Sequence, residues 1–146
     1  MTVRELMTTS LVTVTPDTPV LDARQRMIER RLRHLLVCEP DGAGRRLVGI
    51  VTDRDIRLNL PSPATSLSVW EVNYLLSRLT VGQVMTTAVI AVDPARSARQ
   101  AARILVDHKI GAMPVLDGNQ LVGIVTETDL LRAFAESEEP APTPAR

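Results

Sequence analysis

Three aromatic residues, Trp70, Tyr74 and Phe134, are all that this 146-residue chain contains. Any core must therefore be built from aliphatic side chains and alanine. There is a single cysteine, Cys38, which excludes an internal disulfide and a multi-cysteine zinc site and fits a reducing compartment. Net charge is missing as well, because 17 Lys and Arg balance 17 Asp and Glu. A neutral chain is not drawn electrostatically to nucleic acid or to an acidic membrane. No apolar run reaches the roughly 18–20 residues of a membrane span. No apolar signal segment follows a basic head at the start. The expectation is a soluble cytoplasmic protein with no nucleic-acid or membrane partner. Lysine is nearly absent too: of the 17 basic residues only Lys109 is not arginine. Arginine suits bidentate phosphate recognition, but we read the bias mainly as genomic composition.

What the chain does have is itself, twice. Residues 3–58 return as residues 81–132. Val3-Arg4-Glu5-Leu6-Met7-Thr8-Thr9 matches Val81-Gly82-Gln83-Val84-Met85-Thr86-Thr87, and Val14-Thr15-Pro16 matches Val92-Asp93-Pro94, both at an offset of 78. A shorter turn in the second copy then moves the offset to 74, after which Leu47-Val48-Gly49-Ile50-Val51-Thr52 recurs letter for letter as residues 121–126. Such a collinear match marks an internal repeat.

Each copy reads as the same run of elements. Val12-Thr13-Val14 is a short β-branched strand, followed by a helix with Thr18 as N-cap and Pro19 at its first position. Val20, Ala23 and Met27 share one face of that helix. Leu35-Leu36-Val37-Cys38 is a buried strand, residues 40–44 a turn, and residues 47–51 a second buried strand. A helix over residues 53–60 closes the copy. The second copy gives strand 89–92, helix 97–107, strand 113–116, turn 117–119, strand 121–125 and helix 127–135. Between the copies, Ser68 with Glu71 fits a capping box. It opens a connector helix over residues 68–79 with Val69, Val72, Leu76 and Leu79 at helical spacing. Residues 136–146 are acidic and proline-rich and are expected to be disordered. The organisation expected is repeat 1 over residues 1–60, connector 61–80, repeat 2 over 81–135 and the tail. A unit of roughly 55 residues buries its apolar faces poorly alone. Two short-sheet α/β units pressed together about a pseudo-two-fold solve that problem and leave paired clefts between them.

The strongest local signal is Gly49-Ile50-Val51-Thr52-Asp53-Arg54-Asp55 with its counterpart Gly123-Ile124-Val125-Thr126-Glu127-Thr128-Asp129. In both, a buried strand runs into a helix start. One reading is a capping box, although that box favours Glu or Gln at its fourth position and here both copies carry the shorter Asp. The other is a nucleotide site. A helix N-terminus and a Thr hydroxyl offer donors to phosphate, while an Asp one turn on accepts from ribose hydroxyls. The residues alone leave both readings open.

The string Val-Met-Thr, Thr-Val-x-Pro, His-Leu-Leu-Val and Leu-Val-Gly-Ile-Val-Thr-Asp-Arg-Asp resembles a cystathionine-β-synthase (CBS) domain. Two in tandem resemble a CBS pair, or Bateman module. Residues 68–77 also resemble the connector of small stand-alone bacterial CBS-pair proteins. The resemblance implies adenosine-type ligands (AMP, ADP, ATP or S-adenosylmethionine) and no required cofactor. It further implies a homodimer, regulation of an enzyme or transporter, and no catalysis. It places Thr52, Asp55, Thr126 and Asp129 on phosphate and ribose. Further contacts are implied at Arg33-His34-Leu35 and Gly111-Ala112-Met113, at Val12-Thr13 and Ile90-Ala91, and at Arg54, Thr128 and Pro114. The copies are not identical: Leu36 stands opposite Pro114, Thr13 opposite Ala91, and Arg33, His34 and Arg54 have no basic counterparts. The first cleft is therefore expected to suit phosphates better.

The remaining candidates have plainer explanations. His108 lacks convergent partners, Cys38 reads as an inert buried thiol, and Arg26, Arg30 and Arg33 form a solvated stripe. No glycine-rich phosphate loop, nucleophile elbow or metal-spaced His/Glu pair is present. A ligand-free dimerisation module and a small nucleotide-acting enzyme are the alternatives to a sensor.

Overall fold

The computed structural model describes residues 1–61 and 66–137. The connector's residues 62–65 and the tail residues 138–146, where disorder is expected, lie outside them. Each repeat begins with a one-turn helix, α1 (Val3–Leu6) and α5 (Val81–Val84). In the first repeat α1 is followed by β1 (Thr13–Val14), α2 (Val20–Arg30), β2 (His34–Asp41), β3 (Gly44–Thr52) and α3 (Asp53–Leu58). The connector helix is α4 (Val69–Arg78), and the second repeat continues with α6 (Ala98–His108), β4 (Ala112–Asp117), β5 (Gln120–Thr126) and α7 (Glu127–Ala135). This is the mixed α/β architecture of two short-sheet repeats expected from the sequence.

β1 runs parallel to β2, and β2 antiparallel to β3, while β4 and β5 form the matching hairpin. Gly42 and Gly118 close the two hairpins with positive φ, a conformation that glycine adopts without steric cost. The expected strand over residues 89–92 shrinks to one parallel bridge, Val92 with Val115. Its first-repeat counterpart is braced where this one is not. Arg45 donates to the Thr13 hydroxyl (2.9 Å) and Arg26 to the Thr13 carbonyl (3.1 Å), and Ala91 offers no hydroxyl at the matching place.

Period two explains why the central strands are apolar on both faces. Leu35, Val37 and Val51 point to one core with Val20, Ala23, Met27 and Ile56. Their neighbours Leu36, Cys38 and Ile50 point the other way and meet Ala112, Leu121 and Ile124 of the second repeat. The first face packs on helices and the second forms the layer between repeats.

The leading helices are exchanged. Val81 and Val84 are buried in the first repeat's core, and Val3 in the second's, with Leu6 and Met7 packed beside it. Their following residues extend the foreign sheets: Thr8 pairs with Ile124 and Thr86 with Ile50. Close approach makes this possible only at glycine. A Cβ on Gly49 would lie 2.7 Å from Met85 Sδ and 2.9 Å from the Thr86 carbonyl oxygen, and one on Gly123 would meet Met7 Sδ at 2.7 Å.

The exchange also changes a helix start. Pro19, not Thr18, occupies the N-cap of α2, because the Val20 N–H is taken by the Leu79 carbonyl at 2.9 Å. Thr18 instead accepts from the Thr15 N–H. In the connector the Ser68–Glu71 capping box forms as expected. Val72, Leu76 and Leu79 are half-buried, but Val69 faces solvent and is 74% exposed.

Candidate functional site

β3 and β5 each end on a threonine that caps the next helix. Thr52 N–H donates to Asp55 Oδ2 (2.9 Å), and Asp55 N–H donates to Thr52 Oγ1 (3.0 Å). Thr126 and Asp129 repeat the exchange at 2.9 and 3.2 Å. Asp is thus long enough for the box, because the extended backbone of the threonine brings its N–H to the carboxylate. The capping reading is realised in both copies. It uses one oxygen of each carboxylate and leaves the other for further partners.

The strand starts reach the same place. His34 pairs in register with Thr52, and Ala112 with Thr126. The Arg33 carbonyl accepts from Asp53 N–H (2.9 Å), and the Gly111 carbonyl from Glu127 N–H (3.0 Å). With Asp55 N–H on the threonine, the Arg54 N–H is the first-turn donor of α3 without a partner among the described residues. Across the seam, a Cβ on Gly111 would stand 3.3 Å from His34 Nε2 and 3.6 Å from Glu127 Cδ. The start of β2, the turn at Gly111 and the first turns of α3 and α7 therefore converge at one end of the inter-repeat layer.

Other expected contact residues divide by burial. Leu35, Met113 and Pro114 are fully buried, and Ala112 is buried in the inter-repeat layer. Only their backbone is available to a ligand, since the alternation that builds the cores turns those side chains inward. Arg33, Arg54 and Thr128 are exposed, and Thr13 and Ile90 are half-buried. Val12 packs against the first core. A cavity of about 410 Å³ lies toward the hairpin ends, lined by Arg45, Leu47, Thr87, Val89, Ala91 and Leu116 among others. Ala91 is the one expected contact on its wall.

Two partners were not anticipated by motif reasoning. Thr8 donates to Asp129 Oδ1 at 3.0 Å across the repeats, and Glu127 faces His34. The repeated Met-Thr-Thr string was the available signal for the first. His108 is exposed and bonds its own helix at the Ile104 carbonyl. Burial pushes the Cys38 thiol up, as an inert thiol requires. Among the described residues no group of His, Cys, Asp and Glu could hold a metal, and no helix is long and apolar enough to cross a membrane.

Burial lowers the His34 pKa, with Glu127 opposing and Arg33 reinforcing the shift. The unfolded chain therefore takes up a proton on His34, near pH 6.5, before the folded chain does. Stability rises with pH where the unfolded state binds more protons, so His34 makes the fold less stable as the pH falls below about 6.5. Replacing it by glutamine removes that loss. Urea unfolding at pH 7.5 and 5.5 should show the stability of His34→Gln rising relative to the parent on acidification. An unchanged difference at the two values would sink the assignment.

The family model described as "CBS domain" matches residues 3–62 and 81–136. A CBS domain-containing protein of Dictyostelium discoideum is 31% identical over 141 residues, which cover 96% of this chain and 95% of the relative. A solved protein with CBS domains from Burkholderia ambifaria superposes with a TM-score of 0.77 at 26% identity, covering 98% of this chain and 100% of that one. The structure of CBSX2 in complex with AMP has a TM-score of 0.75 at 30% identity and covers 94% of this chain and 98% of its own.

Proposed function

Because the chain belongs to the CBS-domain family, with one domain over residues 3–62 and another over 81–136, we propose that it is a regulatory module binding adenosine-containing nucleotides in the clefts between its repeats. AMP, ADP, ATP or S-adenosylmethionine is the ligand class. Asp55 and Asp129 take ribose hydroxyls. Thr52 and Thr126, with Arg33, His34 and Arg54 around the first cleft, take phosphate. The ligand alters the packing of the repeats, and a second copy of the chain or a regulated enzyme or transporter in the cytoplasm reads the change. The protein itself catalyses nothing.

The observation that carries this reading is Asp55 at the seam. Its Oδ2 serves the cap while its Oδ1 has no partner among the described residues. The AMP complex of CBSX2, at 30% identity, supports the ligand class.

Thermal unfolding tests it. A ligand at about 100 times its Kd adds about 2.7 kcal/mol, which for a chain of this size is a rise in Tm of roughly 5–10 °C. The rise is expected with at least one of AMP, ADP, ATP and S-adenosylmethionine. Asp55→Ala should lose the capping interaction, about 0.5–2 kcal/mol, and also most of the ligand-dependent rise. The completed capping boxes favour a second reading, an interaction module without ligand. On that reading no nucleotide moves Tm and Asp55→Ala shows the capping loss alone. Release of product from ATP would instead reveal an enzyme.

A further inference from the structure

The two halves of the molecule offer an internal comparison, because the same sequence element sits in each. Thr8 and Thr86 occupy equivalent places on the sheets that they extend. Thr8 exchanges backbone hydrogen bonds with Ile124 at 2.8 and 2.9 Å, and Thr86 with Ile50 at 2.9 and 3.0 Å. The two pairs thus have the same antiparallel bridge, with hydrogen bonds of nearly equal length, and the copies are compared at their side chains.

The side chains do differ. Thr8 Oγ1 donates to Asp129 Oδ1 at 3.0 Å. Thr126 donates to Asp129 Oδ2 from both its N–H and its hydroxyl, at 2.9 and 3.0 Å. Arg132 stands 3.9 Å from Oδ1. Both oxygens of Asp129 are thus engaged, and the residue is 7% exposed, the only buried charged residue among those described. In the first copy Thr86 makes no bond to Asp55, and the position matching Arg132 is Leu58. Asp55 is half-buried and holds the Thr52 N–H alone.

We infer that the Thr8 hydroxyl is an internal latch on the second cleft. It takes up acceptor capacity on Oδ1, the oxygen that the cap leaves over, and so competes as a tethered donor with a sugar hydroxyl for that carboxylate. The Asp55 cleft, with no such competitor, fills first. The second cleft opens only when the Thr8 side chain turns away, and Thr8 lies on the segment whose upstream residues Val3, Leu6 and Met7 pack in the second core. Occupancy of the second cleft is therefore tied to how firmly that exchanged segment docks. This inference rests on the nucleotide reading above and adds an order of filling to it.

A hydrogen bond to a charged group, lost on rotating Thr8 away, corresponds to about a 10- to 100-fold difference in affinity between the clefts. Calorimetric titration of the full chain with AMP tests this. The parent is expected to show one tight step per chain and a second step about 10- to 100-fold weaker. Thr8→Val keeps the β-branched shape and the backbone pairing with Ile124 but removes the donor. It should strengthen the second step toward the first and leave the first unchanged. Asp55→Ala should remove the tight step and leave the weak one, which identifies the clefts. Two equal steps in the parent, or a second step that Thr8→Val does not move, overturn the latch while sparing the nucleotide reading. Absence of any AMP binding in the parent and in Thr8→Val, with the same result for ATP and S-adenosylmethionine, overturns the nucleotide reading and the latch with it.

Discussion

A fragment comprising residues 81–136, one whole sequence repeat, will not fold on its own. Its core includes Val3, fully buried, with Leu6 and Met7 packed beside it, and all three are missing from the fragment. Burial of one such side chain is worth about 1.5–3 kcal/mol, so their loss is comparable with the whole stability of a small domain, about 5–15 kcal/mol. The edge of β5 also loses its two bonds to Thr8, and Ala98 N–H its bond to the Met1 carbonyl. In return Val81, Val84 and Met85 have no first repeat to enter and become exposed apolar surface. The fragment is expected to give the circular dichroism of a coil and no cooperative melt. Residues 1–61, added as a separate chain, should restore helical signal and a melt. A fragment that unfolds cooperatively alone would mean that the exchange is dispensable.

Replacing Gly49 by valine will destabilise the protein by about 3 kcal/mol or more. A Cβ there lies 2.7 Å from Met85 Sδ, which can swing aside, but also 2.9 Å from the Thr86 carbonyl oxygen, which cannot. Thr86 and Ile50 are joined by a pair of backbone bonds, so the new side chain separates two hydrogen-bonded segments. Overpacking of this kind costs about 1–3 kcal/mol, and each lost backbone bond adds about 1 kcal/mol. Gly44 on the same strand is the control. Its Cβ would meet only the Asp41 carbonyl, at an ordinary 3.6 Å, so Gly44→Ala should stay within about 0.5 kcal/mol of the parent. Urea denaturation measures both. A Gly49→Val protein within 1 kcal/mol of the parent would contradict the close approach described above.

Gly49 also shows what sequence reading reached and what it missed. Its place in a repeated strand was legible from the identity of residues 47–52 with 121–126, but nothing local says that another segment must pass within van der Waals contact of it. The central strands were legible because four consecutive apolar residues bounded by turns have few alternatives. The start of α2 was not, because its first N–H is satisfied by Leu79 from the connector. The Thr–Asp pairs were visible as a pattern with two readings. The structure realises the cap, and the oxygen left over on Asp55 keeps the ligand reading alive.

The periodic and repeated features of this chain needed no tertiary information. Two copies, their α/β order, the aliphatic cores and the four Thr and Asp positions follow from spacing, side-chain shape and self-similarity, which act over a few residues. Which leading helix enters which core did not follow. Residues 3–9 and 81–87 are close copies, with nearly the same apolar face. Only the assembled seam shows the choice: Met7 lies against Gly123 and Met85 against Gly49, each leading segment on the other repeat's sheet. The same assembly brings Thr8 to Asp129, 121 residues away, and leaves the two carboxylates of one repeated motif with unequal partners.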